Sequence, residues 1–191
     1  MNKTIIINIS LLLTAAILSA ASLLYYSQKA QAKTYTHPVA APQFTQSHPG
    51  DWINSAPLKM EDLKGKVALL DVWTSACWNC YRSFPWLNSV EDKFKDQDLQ
   101  IIGIHSPEFE YEKNYDNVAA KAKEFELHHP IMLDNDFAYW EALNNEYWPA
   151  YYLIDKQGQI RYLFIGETHS GDSRADKIEN AITKLLAEPF S

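Results

Sequence analysis

The chain is predicted to be an α/β protein, with a central mixed β-sheet flanked by helices on both faces. Three observations carry that expectation. Residues 67–73 (VALLDVW) form a continuous apolar run with one acid inside, as in a central strand covered on both sides. Apolar runs then alternate with stretches of three- and four-residue spacing, the pattern of strands crossing over through helices. The alternation ends at residues 150–154 and 159–165, two strands joined by Asp155-Lys156-Gln157-Gly158, which reads as a hairpin turn and makes the sheet mixed.

The elements follow in order. Residues 58–66 read as a short strand, a turn of helix and a glycine turn. After the run at 67–73, Phe84, Leu87, Val90 and Phe94 recur at helical spacing, so a helix is expected from about Trp78, kinked at Pro85. A strand is expected at 99–105, a helix at 117–125, and a short strand at 131–133. A helix at 136–143 would be capped by Asp134 or Asn135, and a closing helix spans 174–187. Trp86, Trp140 and Tyr147 fall on faces that predict core positions.

The N-terminus reads as an address. A lysine at position 3 precedes an uncharged apolar stretch over 5–24, and Ala30-Gln31-Ala32 offers a cleavage site. The stretch is longer than a usual signal core and long enough to cross a bilayer. Residues 1–32 are therefore a signal peptide or an N-terminal membrane anchor, and either sends the rest outside the cytoplasm. Residues 33–50, with three Pro and no apolar period, read as a flexible linker or tether. The globular domain then spans 51–191.

Composition narrows function. The 191 residues carry 17 basic and 24 acidic side chains, a net charge of −7, with no basic run. Nucleic-acid binding needs a basic face, so it is excluded. Only two cysteines are present, Cys77 and Cys80, three positions apart. A bridge that short removes little unfolded-state entropy and makes a poor staple. Zinc would need a second pair of ligands, and His128-His129 before Pro130 lacks the spacing.

Redox chemistry fits better. Cys77 falls at a helix N-terminus, where unpaired N–H groups and the helix dipole stabilise a thiolate. Cys80 lies one turn on, placed to resolve a mixed disulfide formed at Cys77. Asp71, an acid in an apolar strand, should have a raised pKa suited to proton exchange with Cys80. Trp78 is read as exposed. Trp73 is equally suited to packing and to docking, Glu108 reads as a solvated loop acid, and His105 as structural.

The segments DVWTSACWNCYRSFPWL, IIGIHSPEFEYEKNYDNV and NNEYWPAYYLIDKQGQIRYLFIGE resemble the thioredoxin superfamily. They are most similar to its TlpA/ResA/DipZ-like exported branch, and within it to the thioredoxin-like domain of DipZ proteins. The resemblance implies a thioredoxin-like fold with an inserted helix after the second core strand. It assigns Asp71 as the buried proton-handling carboxylate and Pro85 as the helix kink. Trp148-Pro149 resembles the loop whose cis-proline pairs with a bound client strand. Trp78, Asn79, Trp148 and Pro149 are thus the candidate client-binding residues. Cofactors are expected to be none and no metal is called for.

The implied activity is thiol–disulfide exchange on disulfide-containing exported proteins, in the reducing direction. Electrons would come from a membrane electron-donor protein of the CcdA/DsbD type. A disulfide-forming oxidant of the same fold, a thiol peroxidase and a redox-inactive client-binding module are the alternatives. The stretch 168–173 departs from the acidic loop expected after the last strand.

Overall fold

A computed structural model describes residues 32–190. The signal or anchor expected over 1–32 lies, but for its last residue, outside the described residues. Seven strands form one sheet. They are β1 (Lys33–Ala40), β2 (Trp52–Ile53), β3 (Val67–Trp73), β4 (Leu99–His105), β5 (Ile131–Leu133), β6 (Ala150–Ile154) and β7 (Gln159–Ile165), in spatial order β1-β7-β6-β3-β4-β5-β2. β3, β4 and β5 are parallel, while β6 runs antiparallel to β3 and β7 to β6. This is the mixed sheet expected, with β3 at its centre.

Among the described residues there are four α-helices: α1 (Trp78–Phe94), α2 (Tyr115–Glu124), α3 (Ala138–Ala142) and α4 (Ser173–Ala187). α2 is the inserted helix, between β4 and β5. α1, α2 and α4 bury Phe84, Leu87, Val118, Ile178 and Ile182 against one face, where Leu69, Trp73, Tyr151 and Leu153 project. The other face carries Leu70, Val72, Ile104 and Tyr152 under Tyr139 of α3, Leu143 just after it, and Met60 and Leu63. Side chains alternate across a strand. Asp71 therefore shares the α1 face with Leu69 and Trp73.

Three expectations need correction. Lys33–Ala40, read as the start of a tether, is an edge strand paired antiparallel with β7. Its Pro38 and interrupted register suit an edge, where a missing N–H breaks no central ladder. Residues 58–66 hold no strand. Met60–Leu63 is a single 3-10 turn, and the chain reverses at Gly65 with φ +84°. Trp140 and Tyr147 are half-buried rather than core. Trp86 is buried, its indole donating to Glu179. α1 runs through Pro85 without ending.

Asp134 anchors the second face. The N-cap of α3 is Phe137 rather than the expected Asp134 or Asn135, but Asp134 binds the helix's first N–H groups from upstream. Its carboxylate accepts from Tyr139 N at 2.8 Å, Trp140 N at 2.9 Å and Ser106 Oγ at 2.8 Å, and it is fully buried. α3 has only five residues and cannot hold itself together by propensity. Asp134→Ala should leave three donors unpaired and cost about 3 kcal/mol in urea unfolding. A loss under about 1 kcal/mol would mean water takes over those donors.

Candidate functional site

The cysteine pair sits where the central strand runs out into α1. Cys77 is the N-cap of α1, and its sulfur accepts the Cys80 N–H at 3.1 Å. Its carbonyl takes the N–H groups of Cys80 and Tyr81. The two cysteines form a disulfide. On reduction a Cys77 thiolate would keep that N–H, a charge-assisted bond at the positive end of a 17-residue helix. Cys77 is partly exposed, whereas Cys80 is 0 % exposed within the α1 core. Only the first sulfur is open to solvent, an asymmetry that suits Cys77 to attack and Cys80 to resolution.

Asp71 lies on the sheet face that carries the buried side of α1, including Cys80. It is 1 % exposed, and its Oδ2 has no hydrogen-bond partner. Desolvation by burial pushes its carboxyl from 3.8 up to about 8. Opposite it on β6 stands buried Tyr151, with Ser83 and Thr168 close to its phenol. The Ser83 hydroxyl donates to the Asn79 carbonyl at 2.7 Å and accepts the Thr168 N–H at 3.0 Å. A neutral buried acid thus adjoins a hydroxyl cluster beneath the first turn of α1.

The residues expected to bind a client lie at the tip of α1 and in the loop before β6. Trp78 is 69 % exposed and Asn79 is exposed beside it. The Trp148–Pro149 peptide is cis, and the Pro149 carbonyl accepts the Gly166 N–H at 2.9 Å. Gly166 has φ +105°, a conformation that side-chain-bearing residues avoid. Trp148 is half-buried, its ring 4.4 Å from that of Trp140. Arg82 bonds Glu167 Oε1 at 3.1 Å and is half-exposed. Among the described residues, no three His, Cys, Asp or Glu side chains come together as a metal-ion site.

Two residues read from sequence turn out to be packing. Trp73 is 0 % exposed and meets Phe84 and His105 edge to face. His105 is buried, with Nε2 accepting the Ser75 N–H, and burial lowers its pKa to about 4. Glu108 is exposed. The residue missed is Glu112, fully buried, whose carboxylate accepts from Thr74 Oγ1 at 2.6 Å and Ser75 Oγ at 2.9 Å. It follows Glu108 and Glu110 at two-residue spacing, and only the turn after Phe109 shows which of the three points inward. Ser83 and Tyr151 carry no signal in the sequence beyond helix and strand membership, and Thr168 is marked only as the start of the stretch that departs from the expected acidic loop.

The Redoxin family model matches residues 40–182, three quarters of the chain and the whole of this site. The chain belongs to the Redoxin family. It is 41 % identical over 119 residues to Protein DipZ of Mycobacterium bovis, covering 61 % of this chain but 17 % of that protein. The chain therefore spans about a sixth of DipZ. It is 31 % identical over 137 residues to the thiol-disulfide oxidoreductase YkuV of Bacillus subtilis, covering 72 % of this chain and 88 % of YkuV. A solved thioredoxin-like protein in its oxidized form superposes with a TM-score of 0.65 at 29 % identity, over 80 % of this chain and 98 % of that one. The fold of this Redoxin is thioredoxin-like, and its CxxC disulfide has counterparts among thiol–disulfide oxidoreductases.

Proposed function

We propose that this Redoxin reduces disulfides in exported proteins. Cys77 thiolate attacks a client disulfide, forming a Cys77–client bond and releasing one client sulfur as thiolate. Cys80 then attacks Cys77, closing the Cys77–Cys80 disulfide and releasing the second client thiol. Asp71, ionised in only a minority of molecules at pH 7 because burial raises its pKa to about 8, takes the Cys80 proton in that ionised form as the sulfur becomes the attacking thiolate. No cofactor enters these steps. Trp78, Asn79, Trp148 and Pro149 hold the client strand across the pair.

The observation that carries this reading is the asymmetry of the pair, with Cys77 open at a helix N-terminus and Cys80 fully buried on the sheet face that also holds Asp71. The reducing direction draws support from that acid, which gives the dithiol a proton acceptor near neutral pH. A peroxidase reading gains nothing from Arg82, whose guanidinium is engaged by Glu167. Export rests on the N-terminal address, and re-reduction is assigned to a membrane electron-donor protein of the CcdA/DsbD type.

The test is the equilibrium of the Cys77–Cys80 pair with glutathione and dithiol buffers, read by alkylation mass shift, beside an insulin-reduction assay. A potential of about −230 to −270 mV with insulin reduction is the expected result. A value above about −150 mV would make the protein a disulfide-forming oxidant instead.

A further inference from the structure

Glu112 has no part in the exchange steps above, yet it is the most heavily hydrogen-bonded acid near the cysteines. Besides Thr74 and Ser75, its carboxylate accepts the backbone N–H groups of Glu108 at 2.9 Å and Phe109 at 2.8 Å. It therefore ties two segments together. One is the Thr74-Ser75 step between β3 and Cys77, and the other is the 3-10 turn Glu110–Lys113 that follows β4. The link reaches the nucleophile in one further bond, because the Thr74 carbonyl accepts the Cys77 N–H at 3.2 Å.

None of the four donors is a cation. Burial works to raise the Glu112 carboxyl, but bonds from Thr74, Phe109, Ser75 and Glu108 outweigh it and hold the group below the usual carboxylate range. The charge is therefore kept at neutral pH. Facing it are His105 of β4, held neutral by burial, and Tyr81 of α1, whose ring lies 5.4 Å from Lys121 Nζ of α2. A buried anion behind the nucleophile loop opposes a thiolate on Cys77, and so favours the disulfide over the dithiol.

We propose that Glu112 is the positioning residue of the nucleophile loop, and that its carboxylate makes the Cys77–Cys80 pair more reducing. The assignment rests on the reading of that pair as the site of disulfide exchange. Glu112→Gln keeps the shape and lets the amide face the Thr74 and Ser75 hydroxyls, which can turn to accept. Equilibration of full-length wild type and variant with glutathione should show the variant's equilibrium shifted about tenfold toward the dithiol, a rise of about 30 mV. Alkylation of its Cys77 at pH 7 should be at least about threefold faster, as a larger thiolate fraction demands. A tie that is only structural would lower stability without moving either quantity.

An equilibrium constant and an alkylation rate both within about twofold of wild type would overturn the proposal. Should Glu112→Gln fail to fold by circular dichroism, Thr74→Val with Ser75→Ala cuts the same link and keeps the charge. Unchanged Cys77 alkylation in that double variant overturns the proposal equally. Wild type that neither exchanges with glutathione nor reduces insulin would remove the underlying functional reading. Wild type that does both, beside an unmoved variant, removes only the role of Glu112.

Discussion

Replacing Asp71 with Asn will make the folded protein more stable at pH 8 while slowing disulfide reduction. In the folded protein burial pushes the Asp71 pKa to about 8, against an ordinary value of 3.8. Below about pH 4 the carboxyl is protonated whether the chain is folded or not. Between those two values the unfolded chain loses the proton and the folded one keeps it. Folding then takes up a proton, so stability falls as pH rises, by about 1.4 kcal/mol per unit. The fall stops above about pH 8, where both states are ionised.

Asn cannot ionise and abolishes that slope, while its buried amide leaves donors unpaired at a cost of about 1–3 kcal/mol. The variant should therefore be the less stable protein at pH 4. At pH 8 it should be the more stable by about 2–4 kcal/mol, since about 5 kcal/mol of ionisation strain is gone. Urea unfolding of the oxidised proteins at the two pH values measures both. Insulin reduction should drop by about 10²-fold, the usual worth of a positioned proton acceptor. Equal stability at pH 8 would show that burial does not raise the Asp71 pKa, and would remove the match between its proton affinity and that of the Cys80 thiol.

The frame of the fold was legible because its strands are apolar runs too long to be anything else. VALLDVW, LQIIGIH and AYYLI lie in the middle of the sheet, and burial on both faces leaves them no polar alternation to misread. Lys33–Ala40 was not legible for the opposite reason. An edge strand exposed along most of its length has no buried face to impose a period, and Pro38 argues locally against a strand. β2 is two residues long and exists only because β5 pairs with it.

The cysteines and Asp71 were legible because residue type and spacing point to their chemistry, and the Trp148–Pro149 turn only through its resemblance to a family's cis-proline loop. Glu112, Ser83 and Thr168 were not, since their significance is purely tertiary. Glu112 meets Thr74 38 residues away, and Thr168 meets Ser83 across 85. No window on the chain holds both ends of either bond. Gly103 shows the same limit. It stands opposite Asp71 in β4, and a Cβ there would lie 3.1 Å from the buried Trp73 indole nitrogen, a restriction set wholly by packing.

Cys80→Ser will convert a turning-over enzyme into a covalent trap. Cys77 in that variant retains its place at the tip of α1 and the backbone N–H that its sulfur accepts. Its attack on a client disulfide therefore proceeds and releases one client thiolate. Release of the client then needs a second thiolate at the Cys77 sulfur, and Cys80 is the group the fold supplies from beneath, sealed from solvent and one helical turn away. Serine is too weakly acidic and too poor a nucleophile toward sulfur to replace it. Turnover with insulin should fall by at least about 10³-fold, while non-reducing gels show a one-to-one mixed disulfide. Cys77→Ser should lose turnover to the same degree and form no adduct, because the remaining thiol is 0 % exposed. An adduct on the Cys77→Ser protein instead would reverse the two roles, and would mean that the first turn of α1 opens far enough to expose Cys80.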